Sequence, residues 1–275
     1  MSARIKWGNV LIRAREIVLT YGTLVTLRQL FYRLVSEQVL PNTQVAYKHL
    51  SSVTAEARRA GDFPDLIDRG RRVHRTPSWD TPQDVLDVVA NEYRRDRTDG
   101  QPWSIYLAVE KAGIVEQLSD WFDHLGVPIL ALGGYSSQSY IDVVAAEARA
   151  AGRPAVLLYG GDFDYSGEDI LRDFIKRTDC WDKVVQVALT ADQVTTYGLV
   201  PNPGKDNDPR AKEFARRHGT NVQVELDALD PNDLKVLYTD AISDFWDTSA
   251  YADVVAEERD DRARLRDLAQ RWGTA

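Results

Sequence analysis

Two aspartates, Asp162 and Asp164, follow an apolar run and two glycines in the stretch LLYGGDFDYSGEDI (157–170). The apolar run predicts a buried strand that ends near the glycines. Because residues i and i+2 of an extended chain point to the same side, both carboxylates can face one point. Carboxylates crowded together raise each other's pKa unless a cation is present. For this motif alone the alternative stays open that both aspartates merely cap the following helix.

A third carboxylate, Glu110, ends another apolar run, WSIYLAVE (103–110). Ligands of open α/β sheets bind beyond the carboxyl ends of the strands, and adjacent parallel strands lie about 4.8 Å apart. Glu110, Asp162 and Asp164 are therefore candidate catalytic residues and ligands of one metal site. Oxygen-only ligands suit Mg²⁺. The next residue, Lys111, is either a contact to a DNA phosphate or a surface lysine.

Strands and helices alternate along the middle of the chain. Apolar segments that predict strands lie at 103–110, 127–134, 154–164 and 183–189, with helical patterns between them. This alternation indicates βαβ units and a mostly parallel, Rossmann-like sheet covered on both faces. The predicted fold class is α/β.

The rest of the chain is predicted to be helical. Residues 1–75 show three helical segments, the first and third ending at Gly22 and Gly61, which suggests a helix-turn-helix or winged-helix DNA-binding domain. Residues 76–100 are predicted to be a linker and a helix. Residues 101–229 are predicted to form the sheet domain, and 230–275 the C-terminal helices.

The charge is uneven along the 275 residues. The net charge of −8 argues weakly against nucleic acid as a partner, but a local patch sets a binding field, and residues 58–75 are basic. The alternative for this patch is an ordinary solvated surface. The candidate DNA contacts in it are Arg58, Arg59, Arg69, Arg71 and Arg72.

One cysteine excludes an intrachain disulfide framework and favours a reducing compartment. We see no signal peptide and no apolar stretch of about 20 residues that would span a membrane. The sequence therefore predicts a cytoplasmic protein with no membrane partner.

The strand-end motifs together resemble a Toprim domain. They are a Glu after one strand, GGYSS (133–137) after the next, and the D-x-D-x-x-G of Asp162, Asp164 and Gly167 after the third. More narrowly, the chain is similar to the A subunit of topoisomerase VI and its relative, the meiotic double-strand-break transesterase. That subfamily tends to carry a further Glu followed by Ala-Leu, which VELDAL (224–229) resembles through Glu225.

The resemblance covers roughly residues 20–35 and 103–229. It implies that residues 101–229 form a Toprim domain in which Glu110, Asp162 and Asp164 bind Mg²⁺, with Mn²⁺ as an alternative ion. Because family A subunits dimerise, it also implies a homodimer. Topoisomerase VI needs an ATPase, so a separate ATPase partner is a further candidate, although no ATP-site motif is present in this chain.

Tyr32 is the candidate nucleophile. The family attacks DNA with a tyrosine in a pattern close to Arg-Asp-x-(Phe/Tyr)-Tyr, and TLRQLFYRL matches it through Arg28 and Tyr32, with Gln29 in place of the acid. On a helix, Tyr32 falls outside the apolar stripe and shares a face with Arg28, whose guanidinium would favour the phenolate and contact DNA phosphate. The alternative is a tyrosine that packs against the second domain, a subunit or DNA. The stripe consists of Leu27, Leu30, Phe31, Leu34 and Val35.

Three functions remain open from the sequence. The favoured hypothesis is a Mg²⁺-dependent DNA nuclease that activates water, because bacterial relatives of the A subunit cut DNA using metal. The second is a transesterase in which Tyr32 forms a covalent 5′-phosphotyrosine link. The third is a non-catalytic DNA-binding module, which a resemblance at the level of the fold does not exclude.

Overall fold

The computed structural model describes residues 5–67, 76–201, 209–220 and 222–272. These residues form eleven α-helices and one four-stranded sheet. The fold class is therefore α/β, as the alternation of apolar segments predicts. None of the described helices has both the length and the apolar character needed to cross a membrane.

Three helices form the N-terminal unit: α1 (Trp7–Thr20), α2 (Leu27–Ser36) and α3 (Gln44–Ala60). All three were predicted, and α3 ends where Gly61 adopts a left-handed φ of 79°. Buried residues of the predicted α2 stripe pack with α1 and α3 into one apolar core. Strand pairing within residues 5–67 is limited to an isolated bridge between Thr26 and Ile67, so the described part shows no wing hairpin.

The sheet consists of β1 (Ser104–Val109), β2 (Ile129–Ala131), β3 (Ala155–Gly160) and β4 (Lys183–Ala188). The strand order is β2-β1-β3-β4 and every pair is parallel, which confirms the predicted parallel sheet. The register sets the end of β1 beside the end of β3, because Val109 is opposite Gly160. The carboxyl ends of these two central strands therefore lie at one edge.

Side chains of β1 alternate between two apolar layers. Leu107 and Val109 belong to a core formed with helices α5 (Ala112–Phe122) and α10 (Pro231–Ser243). Tyr106 and Ala108 belong to a core formed with helices α6 (Gln138–Ala150) and α7 (Tyr165–Thr178). Both faces of the sheet are covered, which explains why β1 and β3 read as continuous apolar runs. The helices that follow the N-terminal unit are α4 (Pro82–Glu92), α5 (Ala112–Phe122), α6 (Gln138–Ala150), α7 (Tyr165–Thr178), α8 (Ala191–Thr196), α9 (Pro209–His218), α10 (Pro231–Ser243) and α11 (Thr248–Trp272).

The segment after residue 229 does not stand apart from the sheet. Helix α10 begins after Asp230, whose side chain accepts a hydrogen bond from the main-chain N–H of Asn232, as the Asp-Pro pattern predicts. Its buried Tyr238 donates a hydrogen bond of 2.8 Å to the main-chain oxygen of Ala108 in β1. Helix α10 is therefore part of the layer that covers the central strands.

Candidate functional site

The ends of β1 and β3 bring Glu110 and Asp162 into direct contact. The main-chain N–H of Glu110 donates to the oxygen of Gly160 at 3.0 Å, which extends the strand pairing by one residue. The main-chain N–H of Asp162 then donates to Oε2 of Glu110 at 3.1 Å. The strand order thus sets the Glu110 carboxylate against the main chain of Asp162.

The two aspartates of the D-x-D motif have different partners. Asp164 caps α7, because its Oδ1 accepts hydrogen bonds from the N–H groups of Ser166 and Gly167 at 2.8 and 2.7 Å. Asp162 instead accepts a 2.8 Å hydrogen bond from the main-chain N–H of Leu226. The helix-cap alternative therefore holds for Asp164 alone.

Between the two aspartates, Phe163 ties the motif to the segment that carries Glu225. Its main chain exchanges two hydrogen bonds with Val224, of 2.8 and 3.1 Å, and its side chain is buried. Since Val224 directly precedes Glu225, this antiparallel bridge brings the VELDAL segment to the sheet edge. The buried Phe163 thus turns away from the acids, as the i, i+2 alternation predicts.

Gly167 is required by the close approach of α7 to the acids. A Cβ atom added there would lie 2.5 Å from the main-chain oxygen of Asp162 and 3.2 Å from Oε2 of Glu110. The first distance is shorter than van der Waals contact permits, so any side chain would push the helix start away. The glycine of the D-x-D-x-x-G pattern therefore has a steric role at the site.

The surroundings of the Glu110 carboxyl raise its pKa more than they lower it. Burial raises its pKa to about 7, and the negative charges of Asp162 and Asp164 act in the same direction. The hydrogen bond from Asp162 and the charge of Lys111 oppose this increase only in part. Burial also raises the pKa of Asp162. These are the carboxyls whose ionised forms a bound cation would stabilise most.

Lys111 is largely enclosed by carboxylates and is not a surface lysine. Its side chain is 14% exposed, and Nζ lies 2.9 Å from Asp162 Oδ1, 3.1 Å from Glu225 Oε2 and 2.8 Å from Asp227 Oδ2. Burial by itself lowers the pKa of Lys111, but the three carboxylates outweigh burial and raise it. The lysine therefore stays charged and holds the acids of two separate chain segments together.

Sequence reasoning missed Asp227. This buried carboxylate accepts a 3.1 Å hydrogen bond from Oγ1 of Thr26 and pairs with Lys111. The signal that could have found it is the Glu225-x-Asp227 spacing, which repeats the D-x-D spacing of residues 162 and 164. The structure brings Glu225 and Asp227 to the same site as Asp162.

Helix α2 contacts this acidic site directly. Nη2 of Arg28 donates to Oε1 of Glu225 at 2.6 Å, so a guanidinium from the N-terminal unit neutralises one of its carboxylates. Arg28 is a predicted DNA contact, and the structure pairs it with Glu225 of the VELDAL segment. The N-terminal unit is thus attached to the sheet edge at the candidate site.

Gln29 replaces the acid of the resembled pattern for a physical reason. Its Oε1 accepts from the main-chain N–H of Thr26 at 2.8 Å, which completes a capping box at the start of α2. Its Nε2 donates to Oε1 of Gln117 in α5 at 2.7 Å. Because an ionised carboxylate only accepts hydrogen bonds, an acid at this position could not donate to Gln117.

Tyr32 is buried at the boundary between α2 and the acidic site. The residue is 4% exposed, and burial raises its pKa to about 12, with the charge of Glu225 acting in the same direction. Arg28, which hydrogen-bonds to the phenol, and Lys111 oppose the increase. Tyr32 therefore lies among charged groups of its own chain, with a proton that is held more tightly than usual.

The predicted basic patch is only partly within the described residues. Arg58 and Arg59 lie in the last turn of α3, where Nε of the partly buried Arg58 donates to the main-chain oxygen of Thr54 at 3.4 Å and Arg59 is exposed. Arg69, Arg71 and Arg72 lie outside the described residues.

The oxygen donors at the sheet edge suit a hard cation such as Mg²⁺, and the raised pKa of Glu110 is consistent with that chemistry. Asp164 uses one oxygen to cap α7, and the two oxygens of a carboxylate offer about four acceptor positions, so capping and metal binding are compatible. As the side chains of the described residues stand, no three His, Cys, Asp or Glu are grouped around one point as metal ligands.

Comparisons with known proteins gave no match, either in a scan against protein-family models or in a search of curated proteins.

Proposed function

We propose that the chain is a Mg²⁺-dependent cytoplasmic enzyme of the Toprim type that hydrolyses phosphodiester bonds of DNA. The observation that carries this proposal is the contact between Glu110 and Asp162 at the ends of adjacent parallel strands, where the pKa of Glu110 is raised to about 7. Two crowded carboxylates at such an edge are the arrangement that a divalent cation stabilises.

Glu110, Asp162 and Asp164 are the residues that would hold Mg²⁺ or Mn²⁺. When bound, the ion would supply the positive charge that lowers the pKa of an attacking water and balances the charge on phosphate in the transition state. The main-chain N–H of Leu226 orients Asp162, and Gly167 lets α7 approach the acids. Lys111 holds Asp162 in position through an ion pair, and its charge opposes the increase that burial causes in the pKa of Asp162.

The burial and the raised pKa of Tyr32 favour hydrolysis over transesterification as the proposed reaction. A phenol that is 4% exposed and has a pKa near 12 is a poor nucleophile near neutral pH and is screened from a large substrate. Tyr32 as a nucleophile remains the second candidate, because Arg28 hydrogen-bonds to its phenol and lowers its pKa relative to burial alone. In that reaction the tyrosine oxygen would attack phosphorus, and the leaving strand would depart with its own oxygen.

Cleavage of supercoiled plasmid in Mg²⁺ or Mn²⁺, quenched with denaturant, tests the proposal. We expect nicking by the wild type, its loss in Asp162→Ala, and its retention in Tyr32→Phe without protein-linked DNA. The exposed Asp87→Ala in α4 is the matched control and should cut like the wild type. Cleavage lost in Tyr32→Phe, together with a covalent adduct in the wild type, would select the transesterase.

DNA binding without cleavage in either metal would overturn both enzymatic proposals and leave a DNA-binding module. Arg28, Arg58 and Arg59 are the described residues that we propose contact the DNA backbone, and such contacts would weaken as salt increases. All proposed metal ligands come from one chain, so hydrolysis requires neither the tyrosine of a second copy nor an ATPase partner.

A further inference from the structure

A surface cavity of about 430 Å³ lies where the end of α5 meets α10 and the start of α11. Its volume is within the range of about 300–1,000 Å³ that small-molecule sites occupy. The cavity is separate from the acidic site, because α5 begins directly after Lys111 and extends about 16 Å over its 11 residues before it reaches the cavity. The large apolar side chains of its wall are Trp121, Leu125, Ile242, Trp246 and Tyr251.

One side of the cavity is a face of α10. Lys235, Thr239, Ile242 and Ser243 are spaced by four, three and one residues, so they lie on the same side of the helix. Ile242 is buried and belongs to the core, whereas the other three are exposed. The cavity therefore has an apolar interior, and hydroxyl and ammonium groups lie near the solvent.

Aromatic side chains form the other sides of the cavity. Trp121, in the last turn of α5, is only 9% exposed. Trp246 and Tyr251 are half-buried, and their ring centroids lie 5.6 Å apart. The indole N–H of Trp121 has no acceptor among the described residues, although a buried indole N–H usually has one. An aromatic ligand that carries a hydrogen-bond acceptor would suit these walls.

The charge around the cavity favours an anion. The chain has a net charge of −8, yet no aspartate or glutamate lines this cavity. Lys235 is the cation that lines it, and His124 adds an imidazole. Neither side chain has an acidic partner among the described residues, so both are available to a ligand.

We propose that this cavity binds a small organic anion with an aromatic body, such as an aryl carboxylate or an aryl sulfonate. The rings of Trp121, Trp246 and Tyr251 would enclose the aromatic body, and Lys235 would pair with the acidic group. A ligand of the same shape without the charge would lose this ion pair. The proposal does not depend on DNA cleavage, because no residue that lines the cavity is a proposed metal ligand or DNA contact.

Fluorescence titration of the full chain with 8-anilinonaphthalene-1-sulfonate tests the cavity, because this aromatic anion emits more strongly in an apolar site. We expect saturable binding by the wild type, and a dissociation constant about ten-fold higher in Thr239→Trp, whose new indole fills the cavity. Ser243→Phe fills it from the next turn and should act in the same way. Val236→Trp, at a 55% exposed position of α10 outside the cavity, is the matched control and should bind like the wild type. Circular dichroism spectra and melting temperatures should show that all four proteins are folded.

The uncharged analogue N-phenyl-1-naphthylamine, which lacks the sulfonate, tests the role of Lys235. Lys235→Met should weaken binding of the sulfonate about five-fold and leave binding of the uncharged dye unchanged. Lys48→Met, at an exposed position of α3, should bind both dyes like the wild type. A wild type that binds no sulfonate, or folded cavity-filling variants that bind it as tightly as the wild type, would overturn the site. The same result for both dyes in Lys235→Met would overturn the preference for an anion.

Discussion

The main-chain N–H of Asp162 donates a 3.1 Å hydrogen bond to Oε2 of Glu110. This single contact joins the ends of two neighbouring strands and sets the charge of one acid against the other. The pKa of Glu110 is raised although the carboxylate accepts this hydrogen bond, because burial and the charge of Asp162 exceed what one N–H donor contributes. The stability of the fold, the close approach of α7 at Gly167 and the proposed metal chemistry all depend on this edge of the sheet.

Replacing Glu110 with Gln should stabilise the metal-free protein at high pH. A carboxyl with a pKa near 7 in the folded state and 4.5 in the unfolded state binds more protons when folded, so stability falls as pH rises from about 4.5 to 7. We expect Glu110→Gln to exceed the wild type by about 1–3 kcal/mol at pH 8 in EDTA and to match it at pH 4. Urea unfolding at both pH values measures this, and an equal difference at pH 4 and pH 8 would contradict it.

Replacing Lys111 with Met should destabilise the fold. The substitution removes the ammonium shared by Asp162, Glu225 and Asp227 and leaves buried negative charge without its partner. Loss of one partner of a buried ion pair costs about 3–5 kcal/mol. Lys48→Met, at an exposed position of α3, should change the free energy of unfolding by less than about 0.5 kcal/mol. Equal effects of the two substitutions in urea unfolding would refute the structural role of Lys111.

Gly167→Ala should weaken both folding and metal binding. The added methyl would lie 2.5 Å from the main-chain oxygen of Asp162, so the start of α7 must shift away from the acids. We expect a loss of about 1–3 kcal/mol, typical of overpacking, and weaker Mg²⁺ binding in calorimetry. Gly8→Ala, within α1 and with nothing within 4 Å of the new methyl, should be neutral or stabilising. An unchanged Mg²⁺ affinity in Gly167→Ala would show that this glycine has no role in the proposed metal site.

Gln29→Glu, which introduces an acid at the position where the resembled pattern has one, should destabilise the chain. The new side chain can still accept from Thr26, but it loses the donor to Gln117 and buries a charge next to Thr26, whose hydroxyl donates to Asp227. An unsatisfied buried partner costs about 1–3 kcal/mol, and the cost should grow from pH 5 to pH 8 as the acid ionises. The melting temperature across that range measures the effect. A variant as stable as the wild type at pH 8 would show that the amide is dispensable.

The regular elements could be predicted because their signals are local. Continuous apolar runs specify strands buried on both faces, and Gly61 and the Asp230-Pro231 pair mark a helix end and a helix start within a few residues. The placement of Glu110 and Asp162 at strand ends follows from the same runs. The observed order β2-β1-β3-β4 then makes the two strands that carry these acids neighbours.

The composition of the site depended on contacts between distant segments. Lys111 pairs with Asp227, 116 residues away, and Arg28 pairs with Glu225, 197 residues away, and no local pattern encodes such distances. No local pattern distinguishes Asp162 from Asp164 either, because the two positions are equivalent in an extended chain. Asp164 caps a helix because the first turn of α7 donates to it, and Asp162 belongs to the acidic site, where the main-chain N–H of Leu226 donates to it. The sequence alone determined which strand ends carry acids, because strand pattern is local; the tertiary structure decided which charges surround them, because electrostatic partners are set by packing.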